Sequence, residues 1–130
     1  MDFNNTQAIY LQLKDWMCEQ LLSGKWEAGG RIPSIRELAV QFEVNPNTMM
    51  RAYEHLQQTG IIHNKRGIGY FASEDAVEKI LQIRRQKFID EEIPAFVRKM
   101  KLYRVDWKEV EGINPLKFPI HPNLGPNPCK

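Results

Sequence analysis

Two short helical patterns separated by a break of only two residues constrain this chain of 130 residues more than any other feature. The first pattern begins at Ser34 and runs to about Phe42, with apolar residues on one face. Ser34 is placed to accept a hydrogen bond from the N–H of Glu37, whose carboxylate can return to the N–H of Ser34, as in a capping box. The break that follows is Glu43-Val44, which predicts a tight turn.

The second pattern begins with a strong helix signal and stops at a glycine. Asn45 is a favourable N-cap, and Pro46 takes the first helical position, where its missing N–H costs nothing. The helix is predicted to run to about Thr59 and to stop at Gly60. Two helices joined so closely must cross steeply, with the later one projecting from the body. The residues predicted to face the core from this helix are Met49, Ala52, Tyr53 and Leu56.

A further helix precedes this pair and a hairpin follows it. Apolar residues recur at helical spacing over about residues 8–23, so this segment predicts a first helix. After Gly60 the period changes, and two short apolar stretches enclose a basic, glycine-containing turn. Three helices followed by a hairpin are the order of a winged helix-turn-helix domain. The predicted fold class is therefore mainly α with a small β-hairpin.

Five stretches within residues 8–72 resemble the N-terminal DNA-binding domain of the GntR family of bacterial transcription regulators. Each stretch is short, but the five stand in the family's order and at its separations. They are Ile9-Tyr10-Leu11-Gln12-Leu13, Gly30-Arg31-Ile32-Pro33-Ser34-Ile35-Arg36-Glu37-Leu38-Ala39, Val44-Asn45-Pro46-Asn47-Thr48, Ala52-Tyr53-Glu54-His55-Leu56, and Gly60-Ile61-Ile62 with Gly67-Ile68-Gly69-Tyr70-Phe71. The resemblance implies a DNA-binding domain over residues 1–72.

Residues 73–111 resume a helical pattern that a proline interrupts. Helices are predicted over about residues 73–92 and 95–103, and because proline removes a helical hydrogen bond we expect a kink or a break near Pro94. This part resembles the short C-terminal element of the YtrA-like subgroup, which implies a helical dimerisation element. The alternative is that the helix folds back on the first helix of its own chain, since an isolated helix needs a surface to pack on. The residues predicted for the dimer contact are Val77, Ile80, Leu81, Phe88, Phe96 and Met100.

The composition changes again over residues 112–130. Five of the eight prolines of the chain fall in this stretch, which predicts an extended, proline-rich tail rather than a packed element. We assign the tail no function. The predicted organisation is therefore a winged domain at 1–72, a helical element at 73–111 and a tail at 112–130.

Arg36 is the first candidate for a DNA contact. It lies on the first turn of the second helix, where a guanidinium can hold a phosphate through two hydrogen bonds beside the positive end of the helix. Ser34, the cap of the same helix, belongs to the same predicted contact. The alternative for Arg36 is a salt bridge with Glu37 or Glu43.

The start of the third helix, which is the end that enters the major groove in such domains, carries three polar candidates. Asn47 can read an adenine edge through a paired donor and acceptor, and Thr48 can bond a phosphate. Asn45 can contact a base, or it can serve only as the cap of the helix.

The same helix departs from the pattern of the family at two positions. Many members carry arginine where this chain has Pro46, and another basic residue near Met50, so those base-reading arginines cannot be carried over. Arg51 is the basic side chain of this helix, and we predict that it reaches the DNA backbone or a guanine.

The predicted wing tip is Lys65, Arg66 and Gly67. The glycine lets the backbone come close to DNA, and the two cations can neutralise phosphates. A basic turn can also be a merely solvated turn, but its position after a helix-turn-helix favours DNA.

The sequence shows no signature of an enzyme or of a metal site. The three histidines and two cysteines have no ligand spacing, and no nucleophile stands in a recognisable catalytic pattern. We therefore expect no cofactor. The opening residues do not resemble a secretory signal, and no apolar run approaches the ~20 residues of a spanning helix. These features predict a cytoplasmic protein without a membrane partner.

Together these features predict a homodimeric, sequence-specific transcription regulator, more readily a repressor than an activator, that binds a palindrome in double-stranded DNA. The YtrA-like resemblance implies control of a nearby operon, often one for a transporter. The sequence leaves room for a small-molecule effector but locates no pocket for one. The alternative is a winged-helix protein-interaction module that has lost DNA binding.

The net charge of +2 looks small for a DNA-binding protein, and residues 1–73 carry seven Lys/Arg and seven Asp/Glu. The prediction therefore depends on where the cations lie. If Arg36, Arg51, Lys65 and Arg66 share one surface, a neutral domain still presents a basic face. Few phosphate contacts per subunit then predict a modest salt dependence of binding.

Overall fold

The computed structural model describes residues 7–113. In chain order its elements are α1 (Ile9–Leu22), α2 (Ile35–Phe42), α3 (Pro46–Gln58), β1 (Ile62–Lys65), β2 (Gly69–Ala72), α4 (Ala76–Lys87), a π-helical turn (Phe88–Glu92), α5 (Ile93–Leu102) and α6 (Trp107–Glu111). The mainly helical fold with one antiparallel hairpin is confirmed. None of the described helices is long and apolar enough to cross a lipid bilayer.

The described chain divides into two compact units, one that ends at Gln86 and one that begins at Lys87. The first unit has a continuous apolar core to which α1, α2, α3, the hairpin and α4 all contribute. Each of its core side chains is at most 4% exposed. They are Leu13, Met17, Cys18, Leu21, Ile32, Leu38, Ala39, Met49, Ala52, Tyr53, Leu56, Ile61, Ile62, Ala72, Ala76 and Ile80. The second unit, residues 87–113, is called the arm below.

The helix-turn-helix pair forms where the sequence predicts it. Ser34 caps α2 by accepting a hydrogen bond from Glu37 N–H at 3.1 Å, which is one half of the expected capping box. Glu43 ends this helix with φ of 53°, in the left-handed region that glycine usually occupies. This residue turns the chain within two positions, so Asn45 can cap α3 directly afterwards.

Tyr53 ties α3 to the rest of the winged domain. Its side chain is fully buried, and its hydroxyl donates a hydrogen bond to the carbonyl of Pro33, in the segment before α2. Its ring also meets that of Tyr70 on β2 edge to face, with centroids 4.8 Å apart. Burial, together with the neighbouring Glu37 and Tyr70, raises the pKa of the Tyr53 hydroxyl. This one side chain therefore contacts the approach to α2, α3 and the hairpin.

The hairpin gains a third backbone partner from the segment before α2. Its two strands pair from Ile62 opposite Ala72 to Lys65 opposite Gly69. Arg31 forms an antiparallel bridge to Phe71, so the preceding loop lies along the free edge of β2. The wing is thereby fixed to the body by backbone hydrogen bonds as well as by packing.

The first half of α4 packs on its own chain. Ala76 and Ile80 are buried in the core of the first unit, and Arg84 forms an ion pair with Glu19 of α1 at 2.7 Å. The alternative that this helix folds back on the first helix is thus what the structure shows for this half. The division between the units consequently lies after Gln86, later than the predicted boundary after residue 72.

Pro94 is preceded by a π-helical turn rather than by a non-helical break. Ile93 N–H donates to the carbonyl of Phe88, which is a bond of the wide π type. Helical hydrogen bonding therefore continues from the π-helical turn into α5, so of the two outcomes expected near Pro94 the chain avoids the break. Asp106 then caps the short α6 by accepting a hydrogen bond from Glu109 N–H at 3.0 Å. The predicted tail lies outside the described residues except for Gly112 and Ile113.

Candidate nucleic-acid interface

The outer face of α3 is exposed to solvent, whereas its inner face is buried in the core. Met49, Ala52, Tyr53 and Leu56 are each 0% exposed, as the sequence predicts. The opposite side of the helix therefore points to solvent. Its exposed residues are Asn47, Met50, Arg51, Glu54 and Gln58.

The cap residues of α2 and α3 use their side-chain oxygens within the protein. Asn45 Oδ1 accepts Asn47 N–H at 2.8 Å, and Ser34 Oγ is held by Glu37 N–H. The capping role of Asn45 is therefore present in the structure. The amide NH2 of Asn45 and the hydroxyl proton of Ser34 remain as donors for another molecule.

Arg36 is exposed at the first turn of α2 and forms no ion pair with any residue between positions 7 and 113. The salt bridge with Glu37 or Glu43, weighed as the alternative, is absent among these residues. A free guanidinium beside the positive end of a helix is suited to a phosphate group.

Asn47 and Thr48 occupy the first turn of α3. Asn47 is exposed, while Thr48 is half-buried and its N–H donates to the Asn45 carbonyl at 2.9 Å. Asn47 is thus the residue of this turn best placed to reach a base edge. Thr48 can offer its hydroxyl at the side of the helix.

Arg51 has a partner that sequence reasoning missed. Its guanidinium carbon lies 4.0 Å from the centre of the Tyr10 ring, in a cation–π contact between α3 and the start of α1. The contact keeps the charge of Arg51 and holds it at the outer face of α3. Tyr10 belongs to a stretch shared with the family, but no local pattern connects two residues so far apart in sequence.

A shallow cleft of about 160 Å³ adjoins this pair, and His55 is one of its lining residues. The buried Nδ1 atom of His55 has no hydrogen-bond partner among residues 7–113. Burial lowers the pKa of His55, and the nearby charge of Lys14 lowers it further. His55 is half-buried.

The wing tip is exposed and its backbone requires glycine. Gly67 has φ of 79°, and a side chain added there meets nothing within 4 Å, so the requirement is conformational rather than steric. Arg66 is exposed and has no ion pair within residues 7–113. Lys65 leans back over the ring of Phe71, with its Nζ 4.2 Å from the ring centre.

The residues predicted for dimerisation separate into two groups. Leu81, Phe88 and Phe96 are 53%, 51% and 48% exposed, and Val77 is half-buried. Ile80 is only 2% exposed because it fills the core of its own unit, so its assignment to the dimer contact is corrected. Met100 is also buried, at 7% exposure, without any partner chain.

The described residues contain no group of histidine, cysteine and carboxylate side chains arranged to hold a metal ion. Cys18 is buried in the core, and burial raises the pKa of its thiol. The thiol is therefore a packing group.

Residues 5–71 match the family model described as bacterial regulatory proteins, gntR family. Among curated proteins, the chain is 36% identical to the HTH-type transcriptional regulator YhcF of Bacillus subtilis over 112 residues, which are 85% of this chain and 91% of that protein. It is 38% identical to the HTH-type transcriptional repressor YtrA of Bacillus subtilis over 82 residues, 63% of each protein.

A solved structure extends the match to most of the chain. It is a transcriptional regulator of the GntR family from Bacteroides thetaiotaomicron, with a TM-score of 0.75 and 43% sequence identity over 85% of this chain and 96% of that one. The likeness therefore includes residues beyond the winged domain.

Proposed function

Because this chain belongs to the GntR family of bacterial regulatory proteins, we propose that it is a homodimeric repressor that binds a palindromic operator. Family membership makes it a transcription regulator with a DNA-binding helix-turn-helix, and not an enzyme. The repressor role is supported by the printed name of the YtrA relative. A regulator that acts on bacterial DNA works in the cytoplasm, and we place this protein there.

The observation that carries the proposal is the exposed guanidinium of Arg36 on the first turn of α2, which has no ion pair within residues 7–113, together with the exposed Asn47 on the first turn of α3. In this arrangement Arg36 binds a phosphate while Asn47 enters the major groove and pairs with an adenine edge. Met50 is 40% exposed on the same helix and supplies an apolar contact for a thymine methyl group. The Thr48 hydroxyl donates a hydrogen bond to a phosphate of the DNA backbone at the edge of the groove.

The wing adds a second backbone contact. Arg66 is exposed and unpaired within the described residues, and Gly67 leaves the tip without a side chain. The tip can therefore approach the minor groove closely. The cations of each subunit are few, so affinity depends on two subunits binding together.

Dimerisation is supported by the apolar surface of the arm. Of the fourteen large apolar side chains that are exposed in residues 7–113, eight lie in residues 87–113. Within the arm Met100 alone is buried. A helical segment with this much exposed apolar surface is stabilised by a second copy of the chain, which also doubles the DNA contact and matches a palindrome.

A mobility-shift assay tests DNA binding, with the DNA upstream of the protein's own gene as the probe. We expect a shift that weakens as the salt concentration rises. Arg36→Ala should lower the slope of log affinity against log salt concentration by ~0.9 for each subunit. Lys25→Ala is the matched control, because Lys25 is an exposed cation on the turn after α1. If the wild type gives no salt-sensitive shift, or if Arg36→Ala changes neither affinity nor slope, the proposed DNA contact is wrong.

Sedimentation analysis of the wild-type protein tests the dimer. We expect a dimer at micromolar concentration with and without DNA. A strictly monomeric protein under both conditions contradicts this part of the proposal and leaves the DNA contact to be judged by its own assay.

The regulated genes follow from the YtrA-like resemblance alone. The operator then controls a neighbouring operon that encodes a transporter. Any small-molecule effector acts through the arm. Deleting the gene and sequencing the transcripts tests this: the adjacent operon should rise if the protein is a repressor. An adjacent operon that falls instead makes the protein an activator.

A further inference from the structure

Arg31 lies beside the hairpin, on the segment that leads into α2. Its backbone is bridged to Phe71 of β2, and the next residue, Ile32, donates its N–H to the Tyr70 carbonyl at 3.0 Å. Arg31 therefore occupies a fixed place on the edge of the sheet, unlike a residue in a free loop.

Three side chains form a row across the outer face of this sheet, and Lys65 lies on the same face. Residues opposite each other in antiparallel strands point to the same side. Phe71 is opposite both Arg31 and His63, so these three form one row across the sheet. The other face carries Ile62 and Ala72, which are buried in the core. The row of Arg31, Phe71 and His63, with Lys65, is called the outer wing face.

A missing side chain gives Arg31 its place on this face. Gly69 is opposite Lys65 in the hairpin, and a Cβ added to Gly69 would lie 3.1 Å from Nε and 3.3 Å from Nη2 of Arg31. The guanidinium therefore crosses the space that a larger residue would fill. Since Lys65 leans over Phe71 on the same face, the two cations flank one bare stretch of backbone.

The charges of the outer wing face are not neutralised within the protein. Neither Arg31 nor Lys65 forms an ion pair among residues 7–113. The Glu74 carboxylate lies against Gly29, two residues before Arg31, and makes no ion pair with it. Two adjacent cations without a carboxylate partner favour a polyanion as the ligand.

We propose that Arg31 binds the DNA backbone, with its guanidinium and the ammonium of Lys65 on phosphate oxygens beside the wing. The fork of a guanidinium fits two phosphate oxygens, which lysine cannot match. The inference rests on the proposed DNA contact of the wing and extends it from the tip, residues 65–67, to the outer wing face. A phosphate contact carries no sequence information, so losing it weakens binding to all sites alike.

The test uses the full chain and a DNA duplex that the wild-type protein selects from a random pool. Affinity is measured over a series of salt concentrations for the wild type, Arg31→Ala, Arg31→Lys, the wing-tip variant Arg66→Ala and the control Lys25→Ala. We expect Arg31→Ala to weaken binding about tenfold for each subunit and to lower the salt slope by ~0.9 for each subunit. Arg31→Lys keeps the slope and loses part of the affinity, because the charge remains and the fork is lost.

The outcomes separate this inference from the proposed function. If the wild type selects no duplex, the proposed function fails and this contact fails with it. If the wild type binds and Arg66→Ala lowers the slope while Arg31→Ala does not, only the outer wing face is ruled out. Equal losses for Arg31→Ala and Lys25→Ala would show an effect of total charge and would also overturn the proposal. Circular-dichroism melting checks the fold, and if Arg31→Ala is unfolded, Arg31→Gln takes its place.

Discussion

The two units of this chain differ in how much of their apolar side chains they bury. In the first unit sixteen apolar residues form one core in which each is at most 4% exposed. In the arm Met100 alone is buried, while Phe88, Phe96 and Trp107 are each about half exposed. The first unit therefore has the core of an independently stable domain, whereas the arm has apolar surface that a stable monomer rarely leaves in water.

This difference assigns different tasks to the two regions. The first unit holds its polar contacts in place before any ligand arrives, as the caps of α2 and α3 show. The arm leaves apolar surface exposed, which the proposed dimer contact would cover. Substitutions in the first unit should therefore change folding, and substitutions in the arm should change association.

The largest expected effect is on the core. Leu56→Ala removes a side chain that is 0% exposed, and we expect the free energy of unfolding to fall by about 2–5 kcal/mol. Phe96→Ala in the arm should cost the first unit less than about 0.5 kcal/mol. Chemical denaturation followed by the fluorescence of Trp16 and Trp26, with Trp107 replaced by phenylalanine in all variants, measures the first unit separately. Similar losses for both variants would mean that the two regions fold as one.

The second effect concerns association. Phe88→Glu places a charge on the exposed apolar surface of the arm, and we expect dimer dissociation to become at least about thirtyfold easier. The thermal stability of the first unit should change little. Sedimentation velocity over a concentration series measures the dissociation constant.

Gln82→Glu is the control for this substitution. It adds the same charge at an exposed position of α4, outside the arm. If Gln82→Glu weakens the dimer as much as Phe88→Glu, general charge repulsion is responsible. If neither variant changes the dissociation constant, the partner contact lies elsewhere.

The smallest effect compares two residues with left-handed backbone, one in each region. Glu43 has φ of 53° and Arg104 has φ of 57°, and glycine adopts these values without strain. Glu43→Gly should stabilise the first unit by about 1 kcal/mol in the same denaturation experiment. Arg104→Gly should leave that transition unchanged and slow the hydrogen exchange of Val105 N–H, which closes the end of α5 at the Met100 carbonyl. A gain in the first unit from Arg104→Gly would contradict the separation.

Much of the winged domain could be predicted because its signals are local. The caps at Ser34 and Asn45, the buried face of α3 and the turn at Gly67 each depend on residues within a few positions. The physical cause in each case is a hydrogen bond or a repeating apolar position that the sequence itself displays. The fold class followed from the order of these elements.

The missed features all depend on residues far apart in the chain. The contact of Arg51 with Tyr10 and the placing of Arg31 over Gly69 arise from how distant segments pack, which no local pattern specifies. Ile80 was assigned to a partner because helical periodicity shows that a residue is buried but not against what. The π-helical turn before Pro94 likewise follows from how the backbone adapts to the proline rather than from a motif.

The contacts of Tyr53 have a consequence for how the protein would discriminate between DNA sites. This residue joins α3 to the segment before α2 and to Tyr70 of the hairpin. These contacts hold α3 and the hairpin together. Under the proposed DNA contacts, a duplex that displaces α3 by one base step would also move the wing away from its phosphates. A mismatch would then weaken the proposed contacts of α3 and of the wing at the same time, which would let a domain with few cations discriminate between sites.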